Sequence, residues 1–154
     1  MAIRNIVQVG DEVLRKKSAP VEVFDEKLFT LLDDMKETLI KSNGAGLAAV
    51  QVGVLKRIFL VNFDEQYIEF INPVKIYESG TQYGEEGCLS VKGKWGRVTR
   101  PAKVVMQAQN REGKTFRITA KGFNAKCLCH EYDHLDGILY IDKAKEIYEE
   151  KQWE

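Results

Sequence analysis

Histidine is nearly absent from this chain: 154 residues contain two, and both fall in one short segment. Cysteine is scarce and odd in number at three, and Cys127 and Cys129 are too close in what reads as a helix to face one another. A disulfide framework is therefore not expected, and a reducing compartment fits. An excess charge of one sign is missing too, since 23 Lys and Arg balance 23 Asp and Glu. Without a global positive field, neither nucleic acid nor an anionic membrane is an expected partner. No apolar run approaches membrane-spanning length, and Met1-Ala2-Ile3-Arg4-Asn5 begins neither a signal peptide nor a transit sequence, so a cytoplasmic location is expected. Internal repeats, low-complexity tracts and Pro/Ser-rich linkers are lacking, and the length suits one domain over 1–154.

What is present is periodic. Leu28, Leu32, Met35 and Leu39 recur at helical spacing and predict an amphipathic helix from Asp25 to about Ser42. Asp25 reads as its N-cap, Phe24 and Phe29 as a hydrophobic staple, and Asn43-Gly44 as its stop. After a Gly-rich loop, strands are expected at Arg57–Val61 and Tyr67–Ile71, the second closed by Asn72-Pro73. Further strands are expected at Val74–Tyr77, around Arg97-Val98-Thr99, at Val104–Gln109 and at Thr115–Thr119, the last two flanking the hairpin signal Asn110-Arg111-Glu112-Gly113. Gly122 to Leu135 returns to helical period, with Phe123, Cys127, His130 and His134 along one stripe and Gly137 as the stop. A terminal strand at Ile138–Tyr140 and a charged, helix-compatible tail from Asp142 complete the reading. Strands between two principal helices without βαβ alternation predict an α+β fold, with a largely antiparallel sheet packed around the second helix.

The chemistry concentrates in His130-Glu131-Tyr132-Asp133-His134. A helix puts residues four apart on one face, so both imidazoles reach a single metal ion, and Glu131 can serve a water there without being a ligand. A catalytic ion needs a third protein ligand, and with no third histidine the longer HExxHxxGxxH pattern is excluded. Glu146, Glu149 and Glu150 are candidates, but their charged surroundings suit a solvated face better. Cys88 is the stronger candidate, because Glu86-Gly87-Cys88-Leu89-Ser90 puts a thiol behind a glycine that lets the backbone bend around an ion.

Two phosphate-binding readings fail on context. The segment Gly44-Ala45-Gly46-Leu47-Ala48-Ala49-Val50-Gln51-Val52-Gly53 follows a helix and precedes a strand, the reverse of a dinucleotide fingerprint. Gly113-Lys114-Thr115 lacks the upstream glycine of a P-loop.

Together GAGLAAVQVG, EGCLS and HEYDHLDG, in that order and spacing, resemble the three signature motifs of the peptide deformylases, and Val9-Gly10-Asp11-Glu12-Val13-Leu14-Arg15 extends the likeness over most of the chain. The resemblance implies hydrolysis of the N-formyl group from the formyl-methionine of nascent polypeptides. It implies one divalent metal, Fe(II) in the cell with zinc, nickel or cobalt as substitutes, held by Cys88, His130 and His134, and Glu131 as general acid and base. An iron site would be oxygen-sensitive. Gln51 and the Leu89 backbone N–H would stabilise the oxyanion. Gly44, Ala45, Gly46, Glu86 and Gly87 would border the peptide, which enters like an added strand, and Phe123, Lys126 and Cys127 would wall the methionine pocket. The implied enzyme is a cytoplasmic monomer with transient ribosome contact.

Departures from the usual pattern are Val50 before the glutamine, Cys129 before His130, and Ala45 and Lys126 near the pocket. They predict an altered pocket that still takes a methionine-like side chain, with the Lys126 stem as part of its wall. Two other readings compete: a peptidase whose third ligand is a carboxylate, and a protein that is no enzyme, either a catalytically dead relative or a module with structural zinc.

Overall fold

The computed structural model describes residues 2–149. Its first long element, α1 (Glu26–Ser42), begins where the Asp25 carboxylate accepts the Leu28 N–H at 3.1 Å, and it ends at Asn43 in the left-handed region, φ 55°. Leu28, Leu31, Leu32, Met35 and Leu39 are buried along one stripe, and Phe24 and Phe29 pack against the same cluster.

A five-stranded antiparallel sheet forms the centre. It comprises β1 (Gly46–Ala48), β2 (Ile58–Phe63), β3 (Gln66–Ser79), β6 (Lys103–Gln109) and β7 (Thr115–Lys121), adjacent in that order. Successive residues of β2 explain its continuous apolar run. Ile58 and Leu60 face the cluster built on α1, whereas Phe59 and Val61 face the one that includes Ala125, Cys127 and Leu128 of α2 (Gly122–His134). Both faces of the sheet are covered, so period-two alternation is lost.

Between β3 and β6 the chain forms a second sheet, β4 (Gln82–Cys88) paired with β5 (Val91–Arg100), and the C-terminal β8 (Glu146–Glu149) adds to β5. Val91, Val98, Leu139 and Tyr140 make the small core of this sheet, with Cys88 against it.

Several boundaries differ from the sequence expectation. The strand expected to close at Asn72-Pro73 continues as one element with Val74–Tyr77: Asn72 takes φ 51°, the register with β6 shifts there, and its side chain bonds to Val21 and Gln109. A bulge therefore absorbs the proline. The Gly-rich loop contains β1 followed by a 3-10 turn, Ala49–Val52. The expected strand at Ile138–Tyr140 is instead the approach to a one-turn helix, α3 (Tyr140–Lys143), because Asp142 accepts the Leu139 N–H at 3.0 Å. The charged tail is extended rather than helical over Glu146–Glu149, since pairing with β5 satisfies its backbone and stacks Tyr148 on Trp95 with ring centroids 4.4 Å apart. The rest of that tail lies outside the described residues.

Among the described residues, no helix is long and apolar enough to cross a membrane.

Candidate active site

The helix α2 carries both histidines across one turn, and their rings meet edge to face with centroids 5.1 Å apart. Both are buried because α2 packs on the central sheet. Cys88 arrives from the end of β4, where a register shift between Glu86 and Cys88 bends the strand. Its Sγ is 3.4 Å from His134 Nε2. One ligand atom from each of Cys88, His130 and His134 lies within 4.8 Å of the others. Glu146 and Glu149, the alternative carboxylate ligands, are exposed on β8 and form no part of this group, and Glu150 is outside the described residues.

The donor set fits a divalent ion. His130 Nδ1 is 2.9 Å from Glu86 Oε1, so its N–H donates there and the Nε2 lone pair is left for the metal. A thiolate with two imidazoles suits zinc or iron(II), and the fourth position can stay open. Glu131 completes the arrangement. Its Oε1 is buried with no hydrogen-bond partner among the described residues, and its Oε2 is 4.0 Å from His130 Nε2. Burial pushes this carboxyl up to about 7. A buried carboxylate with nothing to bond has a reason to be there if a water or substrate proton is its partner.

Gln51 approaches from the 3-10 turn. Its Oε1 accepts the Ala48 N–H at 2.9 Å, which fixes the orientation of the amide, and its Nε2 donates to Ser90 Oγ at 3.0 Å and lies 3.7 Å from Cys88 Sγ. Gly46 has to be a glycine: a Cβ there would stand 2.7 Å from Glu131 Oε2. At Gly44 a Cβ would stand 2.8 Å from Leu89 Cδ1.

These groups open onto a cleft of about 360 Å³. Gly44, Ala45, Gly46, Gln51 and Leu89 line it on one side, Glu86, Gly87 and Cys88 on a second, and Phe123, Lys126, Cys127, His130 and Glu131 on the α2 side. All the residues expected from the motifs therefore line the cleft apart from His134, which is fully buried and joins the group through its contact with Cys88. Phe123 is exposed, and the Lys126 Nζ sits 5.1 Å from its ring centroid. Cys129 does not face the histidines but packs into the core on the sheet side of α2, as Val50 packs into the same core cluster.

A family model described as polypeptide deformylase matches residues 3–150. The peptide deformylase of Caldicellulosiruptor bescii is 51% identical over 154 residues, covering 100% of this chain and 93% of that protein. The crystal structure of a peptide deformylase from Legionella pneumophila superposes with a TM-score of 0.90 at 43% identity, over 93% of this chain and 86% of the other. The Met-Ala-Ser-bound class I type b peptide deformylase from Acinetobacter baumannii does so with a TM-score of 0.88 at 30% identity, over 92% and 98%. The chain belongs to the peptide deformylase family. The activity of that family is deformylation of nascent peptides, and its members are metalloenzymes.

Around the ligands of this deformylase lies a charge network that the motifs did not reveal. Arg100 of β5 donates from Nε and Nη2 to the two Glu86 oxygens at 2.8 and 2.9 Å, and from Nη1 to Asp133 Oδ2 at 2.6 Å. Lys143 of α3 reaches the same Asp133 oxygen at 2.9 Å. Arg100, Glu86 and Asp133 are all buried. Burial disfavours the Glu86 anion, but Arg100 and then His130 outweigh it and hold the carboxyl at about 2. Glu86 lines the cleft, yet its carboxylate is committed to orienting His130. Arg100 and Ser90 were invisible as site residues because contacts across 14, 33 and 39 positions leave no spacing signature.

Proposed function

We propose that this deformylase removes the formyl group from the formyl-methionine that begins nascent polypeptides, acting as one catalytic domain over 1–154. Cys88, His130 and His134 hold one divalent ion, iron(II) in the cell. When bound, the ion supplies a Lewis acid for the formyl carbonyl and lowers the pKa of water. Glu131 takes the proton of the attacking water and returns it to the departing amine, so formate and a free amino terminus leave. Gln51 Nε2 and the Leu89 N–H donate to the oxyanion as the carbonyl becomes tetrahedral. The backbone of Gly44–Gly46 and of Glu86–Gly87 borders the extended peptide, and Phe123, Cys127 and the Lys126 stem receive the methionine side chain.

The observation that carries this reading is the buried Glu131 carboxylate, with an oxygen lacking a partner, beside three converging ligand atoms. The Met-Ala-Ser tripeptide named with the Acinetobacter baumannii enzyme has the form of a deformylated product and supports the same substrate class. The enzyme works in the cytoplasm as a monomer, meeting its substrate by transient contact at the ribosome.

The test is anaerobic formate release from a short formyl-methionyl peptide by protein of measured metal content, with Glu131→Ala alongside. Release by the parent and not by the metal-loaded variant is expected. No release at full metal occupancy, or equal release by both proteins, overturns the proposal.

A further inference from the structure

Three lysines border the cleft. Lys92 and Lys94 belong to β5, and Lys126 belongs to α2 on the opposite side. Among the described residues none of the three forms a salt bridge, although Lys94 stands opposite Glu149 in the β5–β8 register. The Lys126 Nζ donates to the Glu85 carbonyl oxygen at 2.8 Å, which fixes the ammonium at the cleft wall and leaves two of its three N–H groups for a ligand.

The acidic groups nearby offset these charges only in part. Glu86 is engaged by Arg100 and His130, and Glu131 is buried at the metal end. Glu85 is the one exposed acid among the cleft residues. Lys92 also borders an adjoining groove lined by Arg4 and Lys41, so positive charge continues along the surface beyond the cleft. Arg4 is held by Asp34, whereas Lys41 forms no salt bridge among the described residues. The whole chain has zero formal net charge, so this potential is local to the cleft.

We propose that Lys92, Lys94 and Lys126 make this enzyme favour peptides with a carboxylate side chain in the residues that follow the formylated one. The proposal rests on the deformylase reading above and adds a specificity to it. A strand-like peptide bordered by Gly44–Gly46 and Glu86–Gly87 leaves the metal end along the cleft that these lysines line, and an aspartate or glutamate on it meets ammonium groups that no carboxylate engages among the described residues. Such contacts are solvent-exposed, so each is modest and screened by salt, and the gain appears in capture of the substrate more than in its turnover.

The experiment compares kcat/KM of nickel-loaded enzyme on formyl-Met-Ala-Ser-type peptides in which the second, third or fourth residue is alanine, glutamate or lysine. At about 0.02 M salt, the best glutamate peptide is expected to exceed its alanine counterpart by about three- to tenfold, chiefly through KM, with lysine below alanine. The preference should collapse at about 1 M salt. Lys92→Gln/Lys94→Gln and Lys126→Gln, on exposed and half-exposed positions that do not threaten folding, should each lower the glutamate-to-alanine ratio. Release from the alanine peptides with a ratio near one at every position overturns the inference and leaves the deformylase reading standing. So does a ratio that survives all three substitutions. No release from any peptide at full metal occupancy strikes the deformylase reading itself and takes this inference with it.

Discussion

Gly46→Ala tests the most exacting contact in the site. An added methyl would stand 2.7 Å from Glu131 Oε2 and 2.9 Å from its Cγ and Cδ, where ordinary contact begins near 3.4 Å. The shortfall is about 0.7 Å for the oxygen. Gly46 cannot retreat, because it is paired with Val61 and followed by fully buried Leu47 and Ala48. The Glu131 carboxylate has to move, although it is 3% exposed on a helix packed against the sheet. The three metal ligands are untouched, so metal content should stay full. A misplacement of about 1 Å costs about a hundredfold, so the shift here should lower kcat by about 10- to 100-fold. The overpacking should also cost about 1–3 kcal/mol of stability. Formate release, metal content and urea unfolding measured on one preparation separate these effects. Gly113→Ala is the control: this hairpin-tip residue has φ +80° and nothing near its Cβ position, so the change strains the backbone without reaching the site and should spare kcat. A Gly46→Ala enzyme with full metal and kcat within about twofold of the parent would refute the reasoning.

Arg100→Met leaves the Glu86 and Asp133 carboxylates buried without their guanidinium and should cost about 3–5 kcal/mol in denaturant unfolding, and a loss below about 1 kcal/mol would count against it. The depressed Glu86 carboxyl sets an acid limit. Its folded pKa of about 2 lies below the ordinary 4.5, so its contribution is present above the ordinary value and disappears as pH falls through about 2. Unfolding free energy should therefore decline between about pH 4.5 and pH 2, and a profile flat over that window would be inconsistent with the network. Cys88→Ser replaces a thiolate with a hydroxyl that does not ionise at neutral pH, so metal should be lost on dialysis, and full retention would revive a carboxylate as third ligand.

The parts of this fold legible in the sequence are those whose determinants are local. Asp25, the leucine stripe and Asn43 each act within a few residues, and α1 follows from them. The HExxH helix is equally local, since its two histidines occupy the same face by helical geometry alone. The strand β4 was not legible. Gln82-Tyr83-Gly84-Glu85-Glu86-Gly87-Cys88 has no apolar alternation, and it is extended because β5 pairs with it and Arg100 needs the Glu86 carboxylate. The tail at Glu146–Glu149 is the same case, with every residue exposed and its conformation decided by backbone pairing to β5 and by the contacts of Tyr148 with Trp95 and of Glu146 with Arg97.

The role of Glu86 shows how function depends on such non-local contacts. Its position in the second motif suggests a substrate-binding residue, but its carboxylate bonds to His130, 44 positions away, and to Arg100. Two residues later the same strand delivers Cys88 to His134, 46 positions away. The connection between β4 and α2 therefore both supplies one ligand and aims another, and a bulge between Glu86 and Cys88 lets one strand do both. Neither task can be performed by an unfolded chain, in which Cys88 is more than forty residues from either histidine. Metal affinity and folding are consequently linked through this strand, and any change that loosens Glu86 from Arg100 should weaken the metal site without touching a ligand.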